Sequence, residues 1–143
     1  MTKKRCAVIL GIFGAAALGF WMGRTTTASA ASTHVYELRT YTAAPGKLEA
    51  LQNRFRDDTM RIFKKHGLTS VAYFQPQDEP LSKNTLIYML SFPNREAAKK
   101  SWDEFRNDPE WQKVQKESEA SGKMVDHIES VFVDPLPFSP TLK

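Results

Sequence analysis

The strongest constraint on this chain is the order in which two side-chain periodicities alternate between His34 and Val133, because each period belongs to one kind of element. His34 to Tyr41 is rich in β-favouring side chains, Val35, Tyr36, Thr40 and Tyr41, and predicts a strand. Pro45 and Gly46 end it. A helical stripe of Leu48, Leu51, Phe55, Ile62 and Phe63 follows, expected to run to His66 with Gly67 as its stop. Thr69 to Gln75 predicts a second strand, and Pro76 to Asn84 a polar connection. Thr85 to Phe92 predicts a third strand, apolar nearly throughout and so expected to be covered on both faces. Asn94 stands as N-cap to a helix that turns Ala97, Ala98, Trp102 and Phe105 to a core. Asp108-Pro109-Glu110 restarts the helix with a capping carboxylate, a proline at the first helical position and an acid in the first turn. Trp111 and Val114 anchor this short third helix, Gly122 closes it, and Lys123 to Val133 predicts the last strand.

The order β-α-β-β-α-α-β is the split βαβ pattern with one extra helical turn. It predicts an α+β domain, a four-stranded antiparallel sheet with helices on one face. The other face is expected to carry Tyr41, Val71, Tyr73, Ile87, Met89, Val125 and Val131, too apolar to be left in water. Two copies stacked sheet to sheet would bury it, so a homodimer is expected.

Residues 1–30 stand apart. Lys3, Lys4 and Arg5 precede an apolar run over residues 6–23, and small residues at Ala28 and Ala30 suit signal-peptidase cleavage before Ala31. The run sits at the lower edge of the ~20 residues that span a bilayer, so an uncleaved anchor through residues 6–23 is the alternative. With the leader gone, the domain is residues 31–143, enough for one core and too few for two. The formal charge of +4 goes with it, because Lys3, Lys4, Arg5 and Arg24 are removed and no acid is. The remaining 16 basic and 16 acidic side chains cancel, leaving no positive field for nucleic acid, and contact with a membrane is expected only through an uncleaved leader. The one cysteine, Cys6, also lies in the leader, so the mature chain has no disulfide, thiol nucleophile or cysteine zinc ligand. A periplasmic or secreted location fits a thiol-free chain.

Three segments share a family likeness. Val35-Tyr36-Glu37-Leu38-Arg39-Thr40-Tyr41 with Pro45-Gly46-Lys47 resembles the opening motif of NIPSNAP-type domains. Asp108-Pro109-Glu110-Trp111-Gln112 is similar to their second helical signature, and Pro135-Leu136-Pro137-Phe138-Ser139-Pro140 to their closing segment. The resemblance spans nearly all of residues 31–143 in the expected order. It implies a dimeric α/β barrel of the ferredoxin-like superfamily with a sheet-lined interior, and it brings no agreed catalytic set. The wider fold group includes cofactor-free monooxygenases, haem-degrading enzymes and small isomerases, a likeness of fold alone.

Strand alternation selects the candidate site. With Tyr36 and Leu38 assigned to the helices, Glu37, Arg39 and Tyr41 are expected to face the interior, joined by Tyr73 and by His127 and Glu129 of the last strand. Carboxylates beside an arginine and a histidine suit proton transfer near neutral pH. The reading favoured over both a ligand pocket and catalysis is a closed ion-pair group, Arg39 satisfying Glu37 or Glu129. No histidines stand four apart, so no metal is expected; no cofactor is expected either. Trp102, Phe105 and Trp111 read as core. The expected function is an exported homodimeric module binding a small apolar molecule or a protein, with a cofactor-free enzyme, monooxygenase- or isomerase-like, as the alternative. Intact-mass measurement of the purified protein should give a chain beginning at Ala31; a mass that includes Met1 would favour the anchor.

Overall fold

A computed structural model describes residues 34–140. The leader, with Cys6, the span over residues 6–23 and the cleavage residues Ala28, Ala30 and Ala31, lies outside the described residues. Among those described, no helix is long and apolar enough to cross a membrane.

Strand β1 (Val35–Ala43) leads into one unbroken helical rod over residues 48–65. The rod consists of α1 (Leu48–Arg54), a π-helical segment (Phe55–Thr59) and α2 (Met60–Lys65). It stops where expected: His66 leaves helical geometry and Gly67 takes a φ of +75°, a left-handed conformation that favours glycine. Strands β2 (Thr69–Phe74) and β3 (Thr85–Phe92) follow. Helix α3 (Arg95–Asn107) begins at Asn94, whose Oδ1 accepts from the Ala97 amide at 2.7 Å. Asp108 then breaks the helix with an extended backbone and caps α4 (Pro109–Ser118), accepting from the Glu110 amide at 2.8 Å. Strand β4 (Val125–Val133) closes the domain.

The strands form a four-stranded antiparallel sheet in the order β2-β3-β1-β4, the split βαβ order, with β1 and β3 central and β2 and β4 at the edges. The helices lie on one face. The core they enclose is aromatic: Phe55, Phe63, Tyr88, Phe92, Trp102, Phe105 and Trp111 are buried with Leu51, Ile62, Leu68 and Leu90. Phe63 is its centre, with ring centroids 4.9 Å from Phe105, 5.5 Å from Trp102 and 6.0 Å from Phe55, all edge-to-face. Of the residues expected on the opposite face, Tyr41, Tyr73 and Val125 belong instead to this helix-side core. Ile87, Met89 and Val131 do occupy the open face, where Ile87 and Met89 are half-buried and Val131 is 55% exposed.

The α2 end and the α4 start are joined through Asp108, which accepts from Lys65 Nζ at 2.7 Å and from His66 Nε2 at 2.5 Å. Lys65, His66 and the Glu110 amide hold this carboxyl well below the usual carboxylate range. A lowered folded value means that the contribution is present above the unfolded value, ~3.9, and is lost as pH falls through the folded one. Asp108→Asn should therefore lower the urea midpoint at neutral pH and flatten its fall below pH ~4. A variant that loses stability in acid as steeply as the wild type would show that other carboxylates govern the acid limb.

Candidate functional site

Alternation along β1 places Val35, Glu37, Arg39, Tyr41 and Ala43 beneath the helices. Glu37 is therefore a carboxylate inside the apolar layer, 2% exposed. Such a group persists only where donors replace water. Three do: Trp102 Nε1 of α3 donates to Oε2 at 2.6 Å, Arg39 NH1 to Oε1 at 2.6 Å, and Ser130 Oγ of β4 to Oε1 at 2.5 Å. The Arg39 guanidinium lies 4.3 Å from the centroid of a Trp102 ring and 5.6 Å from that of Tyr41. Burial works against its charge, but the Tyr41 and Tyr88 oxygens and the bond to Glu37 more than offset this and raise its pKa. Tyr88 in turn donates to the Tyr41 hydroxyl at 2.9 Å, and burial pushes the Tyr88 phenol well above its ordinary value. With both oxygens of Glu37 engaged, the group is built to hold α3, β1 and β4 together.

This overturns the expected shared interior. Glu37, Arg39, Tyr41 and Tyr73 lie on the helix side, Tyr73 stacked on Tyr88 at 5.6 Å. His127 and Glu129 lie opposite Thr42 and Thr40 on the open face, 65% and 67% exposed, with a 3.5 Å contact between them. The sheet separates the two sets. The physical reason is that Trp102 carries a donor: an indole N–H lets a tryptophan-lined helix layer accept an acid, so apolar Tyr36 and Leu38 are left to the open face. The closed ion-pair alternative fits the observed Arg39–Glu37 contact of 2.6 Å.

A second feature carries no sequence motif. In the π segment the Met60 amide bonds to the Phe55 carbonyl, five residues back, while the buried Thr59 hydroxyl donates to the Arg54 carbonyl at 3.2 Å. Phe55 and Met60 both line a cavity of about 290 Å³ with Tyr73, Phe74, Leu86, Gln52, Arg56 and Gln75. The cavity is largely apolar and opens at the β2 edge, where Met60 and Phe74 are 40% and 53% exposed. Five residues in a regular α-helix turn through ~500°, putting the two side chains about 140° apart. Only the wider turn lets them share a wall. The one available signal was Met60 itself, an apolar residue outside the helical stripe.

Glu37→Ala should cost ~3–5 kcal/mol by stranding Arg39 in the apolar layer. Trp102→Phe, which keeps the ring and removes the N–H, should cost ~1–3 kcal/mol. Urea unfolding reads both, and equal midpoints for wild type and Trp102→Phe would show that Oε2 needs no donor from α3.

Among solved structures the chain is similar to an uncharacterized NIPSNAP-like domain protein from Burkholderia xenovorans, at 19% identity over 78% of this chain and 93% of that one, with a TM-score of 0.67. It is similar to a NIPSNAP family protein of unknown function from Agrobacterium tumefaciens, at 24% identity over 77% and 94%, with a TM-score of 0.66. SnoaB, a cofactor-independent oxygenase from Streptomyces nogalater, shares the fold at 11% identity over 76% and 98%, with a TM-score of 0.51. No curated protein matches. The NIPSNAP family model matches residues 36–140, from the strand bearing Glu37 through the Pro-rich end, and the chain belongs to the NIPSNAP family.

Proposed function

We propose that this chain works as an exported homodimeric binding module, two copies packing their open sheet faces together around a small apolar molecule. The observation that carries the reading is the open face itself. Leu38, Ile87, Met89, Val131 and Val133 lie on it across β1, β3 and β4, and no helix of the described residues covers it. Val131 and Val133 are 55% and 37% exposed, apolar surface that a second sheet would remove from water. The packed layer would be apolar at its middle, with His127 and Glu129 toward one end.

Binding is favoured over catalysis because the buried acid has no free oxygen: Glu37 accepts from Trp102, Arg39 and Ser130. The enzyme alternative draws on the fold likeness to SnoaB and requires an accessible acid–base group, for which exposed His127 and Glu129 are the candidates. The export part rests on the leader pattern of residues 3–30.

Native mass spectrometry of protein purified without denaturant should show twice the single-chain mass, with a retained small molecule as added mass. Met89→Asp, which puts a charge in the middle of the face, should give single chains with an unchanged far-ultraviolet circular dichroism spectrum. A wild-type protein that runs as single chains at micromolar concentration would sink the reading.

A further inference from the structure

The chain after β4 ends in an arm with a defined shape. The Ser139 amide bonds to the Leu136 carbonyl at 2.8 Å, closing a four-residue turn over Leu136-Pro137-Phe138-Ser139 with proline at its first corner. The turn displays two large apolar side chains, Leu136 at 59% and Phe138 at 83% exposure. The family match runs to Pro140, so the arm belongs to the domain. Prolines at 135, 137 and 140 restrict the arm before it meets anything, which lowers the entropy cost of docking.

The geometry points to the place where this hook docks: the π-segment cavity of a second copy. The proposal rests on the face-to-face homodimer above. Phe74 of the cavity sits on the edge strand β2 and Leu86 on its neighbour β3, toward the end of β1 marked by the pairing of Tyr41 with Leu86. The arm leaves from the β4 edge at the other end of β1, where Tyr36 pairs with Val133. Hook and cavity are thus at diagonally opposite corners of one sheet. A two-fold axis along the other diagonal, which crosses the strands of two stacked sheets at near right angles, lays each cavity corner against the partner's arm corner. The three residues from Val133 to Leu136 reach ~10 Å, the separation of stacked sheets, and the turn then carries Phe138 on toward the β2 edge. The contact is isologous, so each dimer has two.

Area and chemistry agree with this arrangement. A sheet of four strands ~4.8 Å apart and ~26 Å long offers roughly 500 Å² of flat footprint per copy, against the ~800 Å² per partner of a standard stable interface. A docked phenyl ring removes ~150–250 Å² from water on its own. The cavity, about 290 Å³ and walled by Phe55, Tyr73 and Leu86, has room for that ring, and exposed Met60 and Phe74 at its mouth meet Leu136. Val131 and Val133 on the open face continue directly into the arm, so sheet contact and hook form one apolar surface.

The test uses the full chain in a Cys6→Ser background, which leaves no other thiol. One preparation carries Phe138→Cys and the other Met60→Cys; mixed, allowed to exchange subunits and oxidised, they should give a disulfide-linked dimer on non-reducing gels, which neither gives alone. Separately, Leu136→Ser with Phe138→Ser should raise the dimer dissociation constant at least on the order of 30-fold, as loss of a hot-spot contact does. A wild-type dimer with no cross-link and an unchanged dissociation constant in the double variant overturns the hook and leaves the dimer standing. A wild type that is monomeric by light scattering overturns both. A small molecule held in the cavity of the wild-type dimer, or an internal cross-link when both cysteines are on one chain and none between chains, also overturns the proposal.

Discussion

A carboxylate placed in an apolar layer must be answered by donors or it will not stay there, and in this domain the answer comes from three separate elements. Glu37 of β1 is met by Trp102 of α3, by Arg39 of its own strand and by Ser130 of β4. Each donor sets a position: the indole fixes the depth at which α3 lies on the sheet, and the serine fixes the register of the edge strand, Arg39 opposite Ser130. Arg39, held between Trp102 and Tyr41, carries the constraint along β1 to the Tyr41–Tyr88 hydroxyl pair. The aromatic core around Phe63 packs against that frame, Trp102 being a member of both. A buried pair of this kind adds little net stability compared with apolar residues of the same shape. What it supplies is a single allowed alignment.

The π segment makes a second kind of choice. One widened turn in the rod over residues 48–65 keeps Leu51 and Ile62, on either side of it, in the core. It also turns Phe55 and Met60 toward the same space beside Tyr73 and Phe74. The domain therefore has two apolar surfaces that its own folding leaves unfilled, the open sheet face and the cavity at the β2 edge, and an apolar arm that its own folding leaves unplaced. These are the three apolar surfaces that the proposed homodimer would bring into one contact.

Much of the fold was legible because it rests on local signals. Gly67, Asn94 and the Asp108-Pro109-Glu110 restart each act through backbone geometry or a capping bond within a few residues, and the structure has each where the sequence places it. Strand β3 matched its expected limits for a similar reason, an apolar run bounded by polar turns. The site is not legible, because in sequence only polarity distinguishes the two faces of β1. Glu37 and Arg39 look like solvent- or cavity-facing groups until it is known that Trp102, 65 residues away, presents its N–H to the acid. His127 and Glu129 do stand on the side away from the helices, as alternation along β4 expects, but exposed and apart from Glu37 and Arg39. The π turn left no mark in the periodicity beyond Met60, and the turn over residues 136–139 can be recognised as a hook only once Leu136 and Phe138 are seen to touch little of their own domain.

Glu37 and Ser130 are 93 residues apart, and that distance has a consequence for how the chain matures. A polypeptide delivered from its N-terminus presents β1, β2, β3 and α3 before Ser130 has emerged, so through most of delivery the acid lacks one of its donors. Contacts of such long sequence separation form more slowly than those within a helix. The acid is fully answered only once β4 has joined the sheet. Completion of the sheet and completion of the donor set around the acid are therefore one event, set by the arrival of β4.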